Sequence, residues 1–152
     1  MDVAIAWLPL PDTEHLSHKV IAVEQRWVAL PANHRLARRR AIPFGELAGE
    51  RTIALPSSAG GLREFWLAND QRTAPAQVVA EVATADETFE AVASGVGVVL
   101  VSAGNAEIYR REGFICLPVR GLSPSELAVV WRTGDHRPAV HSFIDACLAA
   151  VS

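Results

Sequence analysis

The sequence is poor in the residues that carry redox chemistry and bind metals. It contains two cysteines, Cys116 and Cys147, in a strand-like and a helical segment, and they form no C-x-x-C pair. Both are most simply small buried hydrophobic residues, and a redox pair is the alternative. The five histidines show no metal-ligand spacing such as H-E-x-x-H, so surface or capping roles are expected for them. The sequence therefore predicts no metal site, no cofactor and no catalytic set.

Neither a large excess of one charge nor a long apolar run is present. The net charge is −3, so no overall field draws the whole chain to nucleic acid or to an anionic membrane. No apolar run approaches the roughly 20 residues of a membrane span, and the N-terminus lacks the features of a secretory signal. These absences predict a cytoplasmic protein with no membrane partner. A local basic cluster, Arg35 with Arg38 to Arg40, precedes Glu46 and Glu50 closely, which favours a solvated loop over a phosphate patch.

Apolar residues are plentiful, and their pattern indicates the fold class. They make up 50% of the 152 residues, which is enough to bury a core. Strand-like runs alternate with helix-like runs, and this alternation predicts an α/β fold with parallel sheets. The clearest strand predictions are Val3–Trp7, which we expect to be buried, Thr52–Leu55, Gln77–Val82, Phe114–Val119 and Leu127–Trp131. Residues 138–151 have apolar positions at helical spacing and predict an amphipathic closing helix.

The stretch Ala91–Ser102 predicts a helix, a tight glycine turn and a buried strand. Gly95 stands where a helix C-terminal cap with positive φ is expected, and four apolar residues follow Gly97 without interruption. In open α/β sheets, ligands bind outside the carboxyl ends of the strands, which here are Ser102 and the residues after it. Ser102 is therefore a candidate pocket residue. The alternative is that Ser102 and Asn105 only cap the helix that begins near residue 106.

A second candidate is the polar loop between the strand Thr52–Leu55 and the next helix. Ser57, Ser58 and Gly60 occupy this loop. Unpaired backbone N–H groups at the start of a helix favour an anion such as a carboxylate. No G-K-[ST] motif follows, so the loop is not a phosphate-binding P-loop. An ordinary N-cap serine is the alternative interpretation.

Taken in order, several motifs resemble one protein family along nearly the whole chain. The sequence resembles the effector-binding domain of LysR-type transcriptional regulators in these segments: DVAIAWLP, WVALPANHRLA, PFGELAGERTIALPSSAG, AVASGVGVVLVS and LAVVWR before the last helix. The resemblance implies a type 2 periplasmic-binding-protein-like α/β fold, with two lobes and a small effector in the cleft between them. By the same resemblance, residues 1–24 and 121–152 are the remnant of the first lobe and residues 25–120 form the second.

The resemblance also implies which residues meet the effector. Matched position by position, these are Ser57, Ser58 and Gly60 after TIALP, Thr84 before the VASG helix, Ser102 after VVLV, and Trp7, Leu8 and Pro9 from the first lobe. The sequence departs from the family in having no helix-turn-helix and no linker helix. It also lacks the first strands and helix of the effector domain, so we expect an incomplete first lobe. Ser102 stands where the family often has proline.

The leading hypothesis is accordingly a small-molecule-sensing domain of a LysR-type regulator, with a carboxylate as one candidate effector. The resemblance implies a homo-oligomer, expected to be a dimer, and contact with DNA only through a helix-turn-helix domain that this sequence does not contain. A solute-binding protein of a transport system, with the same fold, is the alternative hypothesis. An enzyme built on the same lobes is the third, and no catalytic set supports it.

Overall fold

The computed structural model describes residues 3–10, 15–108 and 112–150. Nine strands are present in these ranges: β1 (Val3–Trp7), β2 (Leu16–Glu24), β3 (Arg26–Pro31), β4 (Ile42–Pro43), β5 (Arg51–Ala54), β6 (Gln77–Glu81), β7 (Val99–Ser102), β8 (Phe114–Arg120) and β9 (Ser125–Arg132). Four α-helices accompany them: α1 (Gly61–Trp66), α2 (Ala85–Ala93), α3 (Ala103–Ile108) and α4 (Pro138–Ala150).

The first sheet has β9 in its centre, with β1 and β2 antiparallel on either side. Helix α4 packs on it, and Val140 and Ile144 lie with Val129 in one buried cluster. The predicted closing helix is therefore confirmed within the described residues, although Phe143 is 46% exposed. The prediction that Val3–Trp7 is a buried strand is half wrong. The segment is a strand, but it lies at the sheet edge, and Ile5 is 52% exposed.

The second sheet is mixed, which corrects the prediction of wholly parallel sheets. Strand β3 lies between β7 and β8 and is antiparallel to both, whereas β4 is parallel to β8. The parallel pair β5–β6 joins β7 through Ile53, whose N–H donates to the Val98 carbonyl at 2.9 Å. The apolar run of β7 arises because both of its faces are covered: Leu100 belongs to one buried cluster and Val101 to another. Burial on two faces does not fix strand direction.

The predicted turn between α2 and β7 is confirmed in detail. Gly95 has φ 81°. Its N–H donates to the Val92 carbonyl, and the N–H of Val96 donates to the Ala91 carbonyl, both at 3.0 Å. This pair of bonds is a Schellman motif, which satisfies the last carbonyls of the helix. Gly97 then approaches β5 so closely that an added Cβ would lie 2.7 Å from the Arg51 carbonyl oxygen.

The chain passes between the two sheets twice. It leaves the first sheet at Gln25, between β2 and β3, and returns between Arg120 and Ser125. The Ser125 hydroxyl donates to the Glu24 carbonyl at 2.8 Å, and the Gln25 side chain donates to the Val119 carbonyl at 3.2 Å. These bonds tie the two passages together. The predicted lobe boundaries at residues 24 and 121 lie beside them and stay predictions.

Candidate functional site

The candidate site is a cavity of about 230 Å³ at the ends of β5 and β7, between helices α1 and α2. Most of its lining is apolar, and one lining residue, Trp7, comes from the first sheet. The second sheet and its helices supply the rest of the apolar lining: Ile53, Ala54, Leu55, Leu62, Trp66, Leu67, Val82, Ala83, Ala85, Phe89, Val99, Leu100 and Val101. A mainly apolar hollow with a few polar groups is the usual form of a small-molecule site.

Aromatic rings form the side of the cavity where the two sheets meet. Trp7 and Trp66 lie edge to face, with ring centroids 6.0 Å apart and an interplanar angle of 88°. Phe65 in turn packs at 90° on Trp66, at 5.3 Å. Edge-to-face contacts of this kind stabilise a packed aromatic group by about 0.5–1.5 kcal/mol beyond simple burial. Trp7 is thus held against helix α1.

The corner between β7 and α3 supplies polar groups. Ser102 is 1% exposed, and its Oγ accepts the backbone N–H of Asn105 at 3.1 Å. Ser102 therefore caps α3, which begins at Ala103 rather than near residue 106. Both Ser102 and Asn105 also line the cavity. Ser102 therefore both caps α3 and lines the cavity. Asn105 lines the cavity but is not the cap.

The start of α2 supplies two threonines. The Thr84 Oγ accepts the Glu87 N–H at 3.2 Å and donates to the Glu87 carboxylate at 2.9 Å. Thr84 is therefore the N-cap of α2. One turn later, the Thr88 hydroxyl donates to the Thr84 carbonyl at 2.8 Å. Both hydroxyl protons are therefore already bound by the protein.

Arg63 is the cation of the cavity lining. Its Nη1 donates to the Leu55 carbonyl and to the Glu81 carboxylate, both at 2.5 Å. The charge is thus neutralised by an adjacent carboxylate before any ligand enters. A ligand anion would have to compete with Glu81 for it.

The structure brings together three of the eight predicted site residues and separates the other five. Trp7, Thr84 and Ser102 line the cavity. Leu8 and Pro9 line a different hollow, of about 390 Å³, together with Phe65 and Glu126. The remaining three residues are exposed and line neither hollow: Ser57, Ser58 and Gly60.

The Ser57 loop lies outside the cavity because of its local geometry. Ser57–Ala59 forms a 3₁₀ turn, in which the Gly60 N–H donates to the Ser57 carbonyl at 3.1 Å. Gly60, with φ 55°, then starts a helix α1 of only six residues, which has no side-chain cap. The expectation of an N-cap serine at this helix is therefore wrong. Ser57, Ser58 and Gly60 lie outside the cavity, and the predicted contact of this loop with an anion stays a prediction.

Sequence reasoning missed Arg63, Thr88 and the pocket role of Asn105. Thr88 carried a weak signal, because it lies four residues after Thr84 and so on the same helical face. Sequence reasoning also missed Arg26, which is 1% exposed and donates to Phe65 and Ser123. Burial lowers the pKa of the Arg26 guanidinium, and the charge of Asp70 opposes this shift.

The other predicted chemical features have structural roles. Burial raises the pKa of the Cys116 thiol to about 11, which opposes the thiolate form that redox exchange needs. The basic cluster lies in an exposed loop, where Arg35 pairs with Glu50 and Arg39 with Glu46, both at 2.8 Å. Nowhere in the described part of the chain do three His, Cys, Asp or Glu side chains gather as a metal site would require. Every helix within residues 3–10, 15–108 and 112–150 is too short or too polar to span a bilayer.

Comparison with known proteins places this geometry in a family. The LysR substrate binding domain family matches residues 1–152. The HTH-type transcriptional regulator ShiR of Corynebacterium glutamicum (strain R) is 27% identical over 153 residues, which cover 97% of this chain and 50% of ShiR. The chain thus spans about half the length of this curated relative.

Solved structures agree on the fold. CbnR, a LysR family transcriptional regulator, superposes with a TM-score of 0.81 at 12% identity, over 100% of this chain and 53% of CbnR. The regulatory domain of Synechocystis CcmR, solved in complex with 2-PG, gives 0.78 at 19% identity, over 99% of this chain and 74% of that one. The predicted periplasmic-binding-protein-like fold is confirmed.

The comparisons also decide between the functional hypotheses. The matched family consists of binding domains rather than enzymes, and the curated relative is a regulator. Both findings favour the regulator over the transport-type solute-binding protein. The predicted family resemblance is confirmed over the full sequence, and the chain belongs to the LysR substrate-binding domain family.

Proposed function

We propose that this domain senses a small-molecule effector bound in the 230 Å³ cavity, as part of a LysR-type transcriptional regulator. The observation that carries the proposal is that the cavity is lined from both sheets, by Trp7 on one side and by α1, α2 and β7 on the other. Its volume lies below the roughly 300–1,000 Å³ of drug-sized sites. The effector is therefore a compact molecule with an apolar body and one polar end.

Binding acts on the arrangement of the two sheets. A molecule that touches Trp7 and the second sheet at once stabilises the arrangement in which both contacts are made. It shifts the equilibrium only by its difference in affinity between arrangements. The tied passages at Gln25 and Ser125 are where such a change would be transmitted.

A thermal-shift screen of small carboxylic acids, amides and alcohols tests the proposal. The variant Thr88→Phe fills the cavity from α2, and Thr73→Phe places the same ring on an exposed residue outside it. We expect compounds that raise the Tm of the wild-type chain to lose that effect with Thr88→Phe and to keep it with Thr73→Phe. Full retention of the shift by Thr88→Phe would show that the compounds bind elsewhere.

A carboxylate effector is the more specific form of the proposal that the sequence suggested. In this cavity it would have to take Arg63 from Glu81, since Ser57 and Ser58 lie outside. Such an effector would bind more tightly to Glu81→Gln, which frees the guanidinium, and hardly at all to Arg63→Gln. Measurement of both dissociation constants by calorimetry tests this form.

For the whole protein, we propose a cytoplasmic homo-oligomer, at least a dimer, that reaches DNA through a helix-turn-helix domain outside this chain. The support is the family match and the half-length coverage of a helix-turn-helix regulator. Light scattering on the protein encoded by the complete gene tests the oligomer. A monomer at micromolar concentration would contradict it.

A further inference from the structure

Ser102 stands out among the hydroxyl groups of the cavity. Thr84 and Thr88 both donate their hydroxyl protons to protein acceptors. Ser102 Oγ accepts the Asn105 N–H, and no described residue accepts its own proton. Ser102 is 1% exposed and lines the cavity. A buried donor without an acceptor costs free energy until a partner arrives.

Asn105 adds a second unused group beside it. Its backbone N–H binds Ser102, but its carboxamide bonds to no other described residue, although it is half-buried and lines the cavity. A carboxamide offers two donors and one acceptor oxygen. The corner therefore presents donors and an acceptor together, all of them uncharged.

The charges around this corner are unfavourable to an anion. The Glu24 carboxylate lies against the first turn of α3, where a Cβ on Gly104 would collide with it. The first turn of α2 holds Asp86 and Glu87. The positive ends of both helices are thus already balanced, and Arg63 is paired with Glu81. A buried carboxylate without a cation pays a large desolvation penalty.

We infer that Ser102 and Asn105 select a neutral hydrogen-bonding head group, a carboxamide, ketone or alcohol, on a compact apolar body. The inference rests on the proposed function and specifies the ligand class of that site. A carboxamide head fits best, because its oxygen accepts from Ser102 while its N–H and C=O groups complement those of Asn105. The apolar body then lies against the tryptophan side of the cavity.

Matched acid and amide pairs on one body test the inference. The probes are benzoate and benzamide, and phenylacetate and phenylacetamide, titrated by calorimetry into the 152-residue chain at pH 7.5. We expect each amide to bind roughly tenfold more tightly than its acid. Asn105→Ala, which keeps the backbone N–H bonded to Ser102, should lower the amide affinity by roughly five- to tenfold, the loss of one or two hydrogen bonds.

Ser102→Ala is the second variant, and its structural effect can be separated from its effect on binding. Loss of the α3 cap lowers the Tm, but a merely structural role would weaken amides and acids alike. We expect the ratio of amide to acid affinity to fall toward one. An unchanged ratio in both variants, or tighter binding of the acids with dependence on Arg63, would overturn the inference while leaving the proposed function intact. If no member of either pair binds in the cavity, the inference also fails, whereas the proposed function is decided by the thermal-shift screen.

Discussion

Arg26 shows at the residue scale how a buried charge is held without a salt bridge. Its Nε and Nη2 donate to the carbonyl and hydroxyl of Ser123, at 2.8 and 3.0 Å, and its Nη1 donates to the Phe65 carbonyl at 2.6 Å. The guanidinium carbon also lies 4.0 Å from the centre of the Phe65 ring. One side chain thus joins the return passage between the sheets to the helix that lines the cavity.

Replacement of Arg26 by methionine should be costly. Arg26→Met removes three hydrogen bonds that a buried guanidinium donates, so we expect the free energy of unfolding to fall by about 2 kcal/mol. Arg26→Lys keeps the charge but cannot form all three bonds or the stacking contact. Its free energy of unfolding should therefore lie between those of the wild-type chain and Arg26→Met. Urea denaturation measures the effect, with the exposed Arg40→Met as control. Equal midpoints for Arg26→Met and Arg40→Met would contradict this role.

At the scale of elements, a close backbone contact between Gly97 and Arg51 positions β7, whose residues line the cavity. Gly97→Ala would drive a Cβ into the Arg51 carbonyl and separate β7 from β5. We expect a loss of about 1–3 kcal/mol in stability. Gly45→Ala is the matched control, because nothing lies within 4 Å of a Cβ there. If both variants melt at the same temperature, the close approach at Gly97 is not required.

The segment from α2 to β7 shows which features can be predicted from sequence. The Gly95 turn and the buried run after Gly97 are encoded by neighbouring residues, and both were predicted. The direction of β7 was not, because an apolar run reports burial on both faces and its neighbours come from distant parts of the chain. The position of the Ser57 loop outside the cavity could not be predicted for a similar reason. Its polar residues suggest a site, but the 3₁₀ turn Ser57–Ala59 leaves Ser57 and Ser58 exposed and away from the cavity lining.

At the scale of the whole molecule, only the tertiary structure reveals how far the first sheet contributes. Trp7 was expected in the cleft from family resemblance and does line the cavity, whereas Leu8 and Pro9, its immediate neighbours, line another hollow. Successive residues diverge at the end of β1, so no local pattern could separate them. Arg26 likewise has partners 39 and 97 residues away.

Trp7 therefore provides a test of whether both sheets contact the ligand. Trp7→Leu removes the edge-to-face contact with Trp66 and one side of the cavity. We expect the affinity for the tightest-binding amide to fall about tenfold, a loss typical of one aromatic contact together with its buried area.

Trp131→Leu is the matched control, since Trp131 lies in the same sheet but packs in the α4 cluster. Calorimetry on the two variants separates the cases: Trp131→Leu lowers stability without weakening binding, whereas Trp7→Leu weakens binding in the folded protein. Unchanged affinity in Trp7→Leu would mean that the second sheet binds the ligand alone, and ligand binding would then have no means of acting on the arrangement of the two sheets.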